Sequence, residues 1–125
     1  GNINSNDEPS LTKVTKIIIL LVSFCEKNPG LARILTREAF STDEALLEER
    51  VKQIFSKIEL QIKQNLQRYE QETKNKLAQT TASSANLLLA FAEGIIQQFV
   101  RSGFKDKPSS RVSEQTKFLI SSLKK

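Results

Sequence analysis

The stretch from about Ser83 to Phe104 constrains the fold most, because as a helix it is apolar on two sides at once. Leu88, Phe91, Ile95 and Phe99 recur at helical spacing on one flank, and Leu89, Ala92, Ile96 and Val100 do so on another. Two buried flanks need two partners. Gly94 sits between them in mid-helix, a choice that costs about 1 kcal/mol relative to alanine and is ordinarily offset by close approach of another backbone. After a turn at Lys105–Pro108, a final helix is expected at about Ser113 to Lys124, carrying Leu119, Ile120 and Leu123. It is too short to stand alone, and the two-faced helix before it is the expected surface for it. The simplest arrangement makes these two helices half of a four-helix bundle completed by a symmetry mate. Leu88, Leu89, Ala92, Gly94, Ile96, Phe99, Val100, Leu119, Ile120 and Leu123 would then form the dimer contact. The alternative is that the chain's own helices cover the second flank.

The rest of the chain also reads as helix. Residues 1–9 are polar and asparagine-rich and read as a frayed, flexible start, with the domain proper running over 10–125. A first helix, capped by Asp7 or Ser10, runs to about Glu26 with its core stripe at Val14, Ile17, Ile18, Leu21 and Cys25. Asn28-Pro29 breaks it and opens a short helix to about Phe40, with asparagine as N-cap and proline at the first helical position. Ser41-Thr42-Asp43-Glu44 has the form of a capping box. A long one-sided helix follows, with Leu47, Val51, Ile54, Phe55, Ile58, Ile62, Leu66 and Tyr69 stepping by threes and fours. Beyond Tyr69 the pattern fades into a polar stretch to Ser84, read as a mobile loop. No strand alternation, phosphate loop or internal repeat is present, so the expected class is all-α.

Composition narrows the function. The chain has one cysteine, Cys25, and no histidine, which removes internal disulfides, thiolate metal sites and the commonest general base. No catalytic constellation, metal or cofactor site is expected, and the chain is read as no enzyme. Glu93, inside the apolar helix, is read as a structural acid, Glu26 and Arg33 as an ion pair, and Cys25 as a small buried apolar residue. The longest apolar run, Ile17 to Val22, is far short of the ~20 residues that cross a bilayer, so no membrane role is expected and the cytoplasm is the natural compartment. The net charge of +5 is spread among glutamates along helix faces without interleaved aromatics, the pattern of a solvated basic surface rather than of a nucleic-acid groove.

Two blocks carry a family resemblance. The run from Phe24 through Glu26, Lys27, Asn28, Pro29 and Gly30 to Arg33, Ile34, Leu35 and Thr36 resembles a segment of the SlmA-like family, TetR-type nucleoid-occlusion regulators of bacteria. Ala90-Phe91-Ala92-Glu93-Gly94, then Phe99-Val100-Arg101-Ser102, Phe104-Lys105 and Pro108, are similar to that family's penultimate helix and the turn after it. The resemblance covers about Leu11 to Lys125. It implies a TetR-type C-terminal domain of about five helices, the last two forming a dimeric four-helix bundle. Family members carry an N-terminal helix-turn-helix domain that binds chromosomal sites. That domain is not in this chain, so DNA contact would come only through it, and residues 1–9 would be the truncated end of the preceding helix. The full-length protein would be cytoplasmic and nucleoid-associated.

The family's C-terminal domain dimerises and binds the tubulin-like division protein FtsZ, inhibiting septum assembly over the chromosome. By matching position, the resemblance places the C-terminal tail of FtsZ at Leu20, Ser23, Lys27 and Asn28. The residues themselves agree in part: Lys16, Leu20, Ser23 and Lys27 step by four, three and four on a face other than the core stripe, and an apolar residue flanked by cations suits an acidic peptide with apolar anchors. Packing of Leu20 under another domain is the competing structural role. Lys27 stands where the family tends to have arginine, keeping the charge without the bidentate fork. Ser23 and Cys25 replace small positions, and Phe118 stands where tryptophan is common. The competing function is a ligand-sensing domain of a TetR-type repressor, binding a small apolar effector among the helices.

Overall fold

The computed structural model describes residues 8–125, so the expectation for residues 1–9, with Asp7 as cap, lies almost wholly outside the described residues. The helices are α1 (Pro9–Lys27), α2 (Pro29–Leu35), α3 (Ala45–Thr73), α4 (Thr81–Arg101) and α5 (Val112–Ser122), with 3-10 turns at Thr42–Glu44 and Pro108–Ser110. No strand accompanies them among the described residues, as the all-α reading expects. None of these helices is long and apolar enough to cross a membrane.

The centre of the molecule is α1, which packs against each of the other four helices or their connecting turns. Leu11, Val14, Ile18, Val22 and Cys25, spaced three, four, four and three apart, are all buried along it. Ile17 and Leu21, expected in this stripe, pack at its edge. Near its start Ser10 is buried, its hydroxyl donating to Glu72 Oε1 (3.2 Å) across to α3 instead of capping α1. At its end Asn28 does two things. Its side-chain amide donates to the Phe24 carbonyl (2.7 Å), satisfying an orphan acceptor of α1, and its own carbonyl accepts the Ala32 N–H (3.0 Å) as α2 begins.

The second helix ends at Leu35, short of the expected Phe40. Thr36 turns its hydroxyl back onto the Ala32 carbonyl (2.9 Å), offering the backbone an alternative to another helical turn. The Arg37 guanidinium then lies over the Phe40 ring (5.4 Å) and pairs with Glu44. Glu44 reaches back to the Ser41 N–H (3.0 Å) and to its hydroxyl (3.1 Å), so the box starts a 3-10 turn that opens into α3. Twenty-nine residues make α3 about 43 Å long at 1.5 Å per residue. Its buried side is Val51, Ile62, Leu66 and Tyr69.

The segment after α3 is not the free loop that its polarity predicts. Leu77, its one large apolar residue, is buried; its N–H donates to Glu70 Oε2 (2.8 Å), and Ala78 N–H donates to the Leu123 carbonyl (2.9 Å). Thr80 then caps α4, its hydroxyl oxygen accepting the Ser83 N–H (3.1 Å).

Both expected flanks of α4 are used by this chain itself. Leu88, Ile95 and Phe99 on one and Leu89, Ala92 and Ile96 on the other are buried, with α1 and α3 as the main neighbours and α2 a third. That occupation decides where α5 goes. With α4's flanks filled, α5 lies along α1, burying Val112, Thr116 and Ile120 at steps of four, not along α4 as expected. Gly103 and Phe104 take positive φ (70° and 67°) to end α4; the Phe104 N–H bonds the Phe99 carbonyl (2.9 Å) and its ring meets the Phe99 ring edge-on at 5.4 Å.

Candidate functional site

Helices α3, α4 and α5 pack on the other sides of α1, leaving one strip of it in solvent: Lys13, Lys16, Leu20, Phe24 and Lys27. Leu20 is 67% exposed and Phe24 58%, although burying either would stabilise the fold by about 1.5–3 kcal/mol. Neither Lys16 nor Lys27 has an ion pair among the described residues. Of the four residues the sequence points to, Leu20 and Lys27 stand fully out on this strip and Ser23 is half-buried beside them. Asn28 is exposed too, but its amide is committed to the Phe24 carbonyl, so it steadies the last turn of α1. Phe24 is the member that sequence reasoning left out of the site. Its signal was available, one turn beyond Leu20 and out of phase with the core stripe.

A second surface lies on α4 and α5. Of the ten residues expected at a dimer contact, Leu88, Leu89, Ala92, Ile96, Phe99, Ile120 and Leu123 are enclosed within the single chain, Val100 and Leu119 are half-buried, and Gly94 is exposed. The apolar surface left outside is carried by neighbouring positions. Leu87, Ala90 and Gly94 form an exposed strip at steps of three and four, with Phe91 half-buried beside it. On α5, Phe118 is 72% exposed at the rim of a cleft of about 440 Å³ lined by Phe91, Glu114, Gln115 and Leu119. A Cβ added at Gly94 would meet nothing within 4 Å, so no backbone of this chain accounts for the glycine.

The titrating groups are few. Burial pushes the Cys25 thiol up to about 11, which keeps it protonated and unreactive at neutral pH. Burial, and then the charge of Glu59, raise Glu93 above its ordinary value, whereas the Ser41 N–H and then Arg37 lower Glu44. Glu26 does not pair with Arg33; it accepts the Ser109 N–H (2.8 Å) and ties the turn before α5 to α1. A cleft of about 180 Å³ opens between α2, α3 and α4, lined by Thr36, Arg37, Glu38, Glu93 and Gln97 beside Leu35, Phe55 and Ile96. No group of three or more carboxylate or cysteine side chains is placed to hold a metal among the described residues.

This five-helix array with α1 at its centre is a tetracycline-repressor-type C-terminal domain: the model of the "Tetracyclin repressor-like, C-terminal domain" matches residues 8–124. The chain belongs to the SlmA-like branch of that family. It is 41% identical over 119 residues to the nucleoid occlusion factor SlmA of Shewanella sp. (strain W3-18-1) and to that of Shewanella oneidensis, and 40% identical to that of Shewanella baltica. Each match covers 94% of this chain and 60% of the relative, so the chain spans about three fifths of the length of these relatives.

Proposed function

We propose that the chain is the pairing and partner-binding domain of a nucleoid-occlusion factor, with the outward strip of α1 as the seat of the FtsZ C-terminal tail. DNA is contacted by a separate helix-turn-helix domain, and the complex acts at the nucleoid to hold back septum assembly. The observation that carries this reading is the pair Leu20 and Phe24, exposed one turn apart on the central helix between two unpaired lysines. An extended or helical peptide with apolar anchors and acidic neighbours is the partner such a strip suits. Leu20 and Lys27 supply contact, Ser23 allows close approach, and Asn28 holds the turn.

Two copies pair through the strip at Leu87, Ala90, Phe91 and Gly94 together with Phe118 and Leu119. Gly94 supports this, since an exposed helical glycine with empty space over it admits a facing helix. Val100 lies at the edge of the contact, while Leu88, Leu89, Ala92, Ile96, Phe99, Ile120 and Leu123 back it from inside. The ligand-sensing alternative is less well served. The cleft enclosed between α2, α3 and α4 is below the ~300–1,000 Å³ of a usual ligand site and its charged lining is ill-matched to an apolar effector, while the cleft of about 440 Å³ beside Phe118 lies at the surface of α5, not among the helices.

Calorimetry of the chain with a synthetic FtsZ tail peptide tests the site. Leu20→Glu and Lys27→Glu each abolish binding while leaving the melting temperature and the sedimentation coefficient unchanged. Undiminished affinity in both variants removes the assignment.

A further inference from the structure

Charge is unevenly placed along α1. At its start the carboxylates are matched: Glu8 takes Lys124, Glu70 takes Lys76, and Glu72 takes the Ser10 hydroxyl. At its other end the carboxylates are engaged within the chain, by a backbone N–H and by an arginine, and not by the lysines there. There the end of α1, the start of α2, the end of α4 and the 3-10 turn before α5 meet. Glu26 is committed to the Ser109 N–H (2.8 Å), and both oxygens of Asp106 are held by Arg111 (3.0 and 3.1 Å). Lys27, Arg33, Arg101, Lys105 and Lys107 are left exposed at this end, without an ion pair among the described residues.

The turn that displays two of them is held fast. Ser102 Oγ accepts the N–H groups of Lys105 (3.2 Å) and Asp106 (2.9 Å), and the Phe104 ring is seated on Phe99. A backbone braced in this way need not be ordered when an anion docks, so only the lysine side chains lose freedom. Lys27 ends the strip that bears Leu20 and Phe24, and its chain neighbour Glu26 holds the Ser109 N–H, which brings the turn after Lys107 against this end of α1. A phosphodiester backbone has no use for two exposed apolar side chains beside its charge sites, whereas a polypeptide with apolar anchors and an acidic flank uses both.

We propose that the cationic end formed by Lys27, Arg33, Lys105 and Lys107 receives an acidic flank of the same polypeptide segment whose apolar side chains sit on Leu20 and Phe24, fixing the direction in which that segment runs along α1. This rests on the α1 assignment made above. The cations also raise the encounter rate by attracting the acidic flank from a distance.

The test titrates the chain with two peptides, a synthetic FtsZ tail and the same tail with every Asp and Glu replaced by Asn and Gln. The double variant Lys105→Glu/Lys107→Glu weakens the acidic peptide about tenfold, as expected for reversing two screened surface charges, and leaves the amide peptide unchanged. Arg33→Glu repeats the effect from a different element, which guards against local misfolding of the turn. Equal weakening of both peptides, or of neither, overturns the proposal. Loss of binding in Leu20→Glu alongside an unaffected double variant overturns it while leaving the α1 site standing; no effect of either sinks both. Co-sedimentation with phosphatidylglycerol vesicles that the double variant abolishes, with peptide affinity unmoved, assigns this end to a lipid surface and overturns it as well.

Discussion

The two exposed apolar strips of this molecule, one on α1 and one on α4, differ in what surrounds them. On α1, Leu20 and Phe24 are large and flanked by Lys16 and Lys27. On α4, Leu87, Ala90 and Gly94 become smaller along the helix, and their exposed neighbours Asn86, Gln97 and Gln98 are uncharged. Charge around an apolar anchor keeps a surface soluble when empty and favours a partner that comes and goes. Small uncharged side chains allow two helices to approach closely, which suits lasting contact with a second copy. The contrast teaches that exposure alone does not define an interface; the size and charge of the neighbours say which kind it is.

The most damaging way to probe this contrast is from beneath it. Ile18→Ala removes a wholly buried side chain on the core side of α1, and a loss of about 3 kcal/mol in denaturant unfolding is expected, with partner binding falling only as the folded fraction falls. Next in size, Leu87→Glu combined with Phe118→Glu leaves the fold intact and gives a monomer by sedimentation equilibrium; a persistent dimer would mean that the α4 strip faces solvent. Gly94→Ala cuts more finely. In an unpaired chain it stabilises the helix by about 0.5–1 kcal/mol, because nothing stands where the new methyl goes. In a close-packed pair it weakens association, so a raised melting temperature with unchanged pairing would break the distinction between the strips.

The smallest effect tests the electrostatics of α4 itself. Glu93 has its folded pKa raised above 4.5, so its ionised form is penalised in the fold; stability is greatest below the unfolded value and declines as pH rises through the folded one. Glu93→Gln is therefore expected to raise stability at pH 7 by only a few tenths of a kcal/mol, since the group is half-buried and solvent still screens it, and to do nothing below about pH 4. Glu44 behaves oppositely. Its folded pKa is lowered, and what it contributes is present above 4.5 and lost as pH falls through the folded value.

Helix existence, most helix starts and the core stripe of α1 were legible in the sequence, because caps and periodicity are local signals. Asn28-Pro29 at the start of α2 shows how few residues set a boundary, whereas Thr80, whose hydroxyl caps α4, was hidden in a polar stretch that reads as loop. Which helix covers which was not legible. Periodicity says that Leu88 and Leu89 must be buried, yet it is silent on whether α1, α3 or a second copy does it, and so α5 was assigned to α4 when the open place lay along α1. Gly94 stood out in the sequence but its companions Leu87 and Ala90 did not, because Leu87 is one of three consecutive leucines and Ala90 is too small to register as apolar pattern. On α1 the outward placement of Leu20 and Lys27 was readable, but the exposure of Phe24 depends on how far α3 and α5 wrap the helix, which no local rule fixes.

The join between Leu77, Ala78, Leu123 and Lys124, with Lys124 also gripping Glu8, has a bearing on how the protein is made. A nascent chain stalled before Lys124 emerges from the ribosome can form α1 to α4 but cannot fasten the first turn of α1 to the connection after α3. The domain therefore completes its fold only after nearly all of this sequence is synthesised, and a bulky fusion placed after Lys125 would sit beside the point where α1 begins.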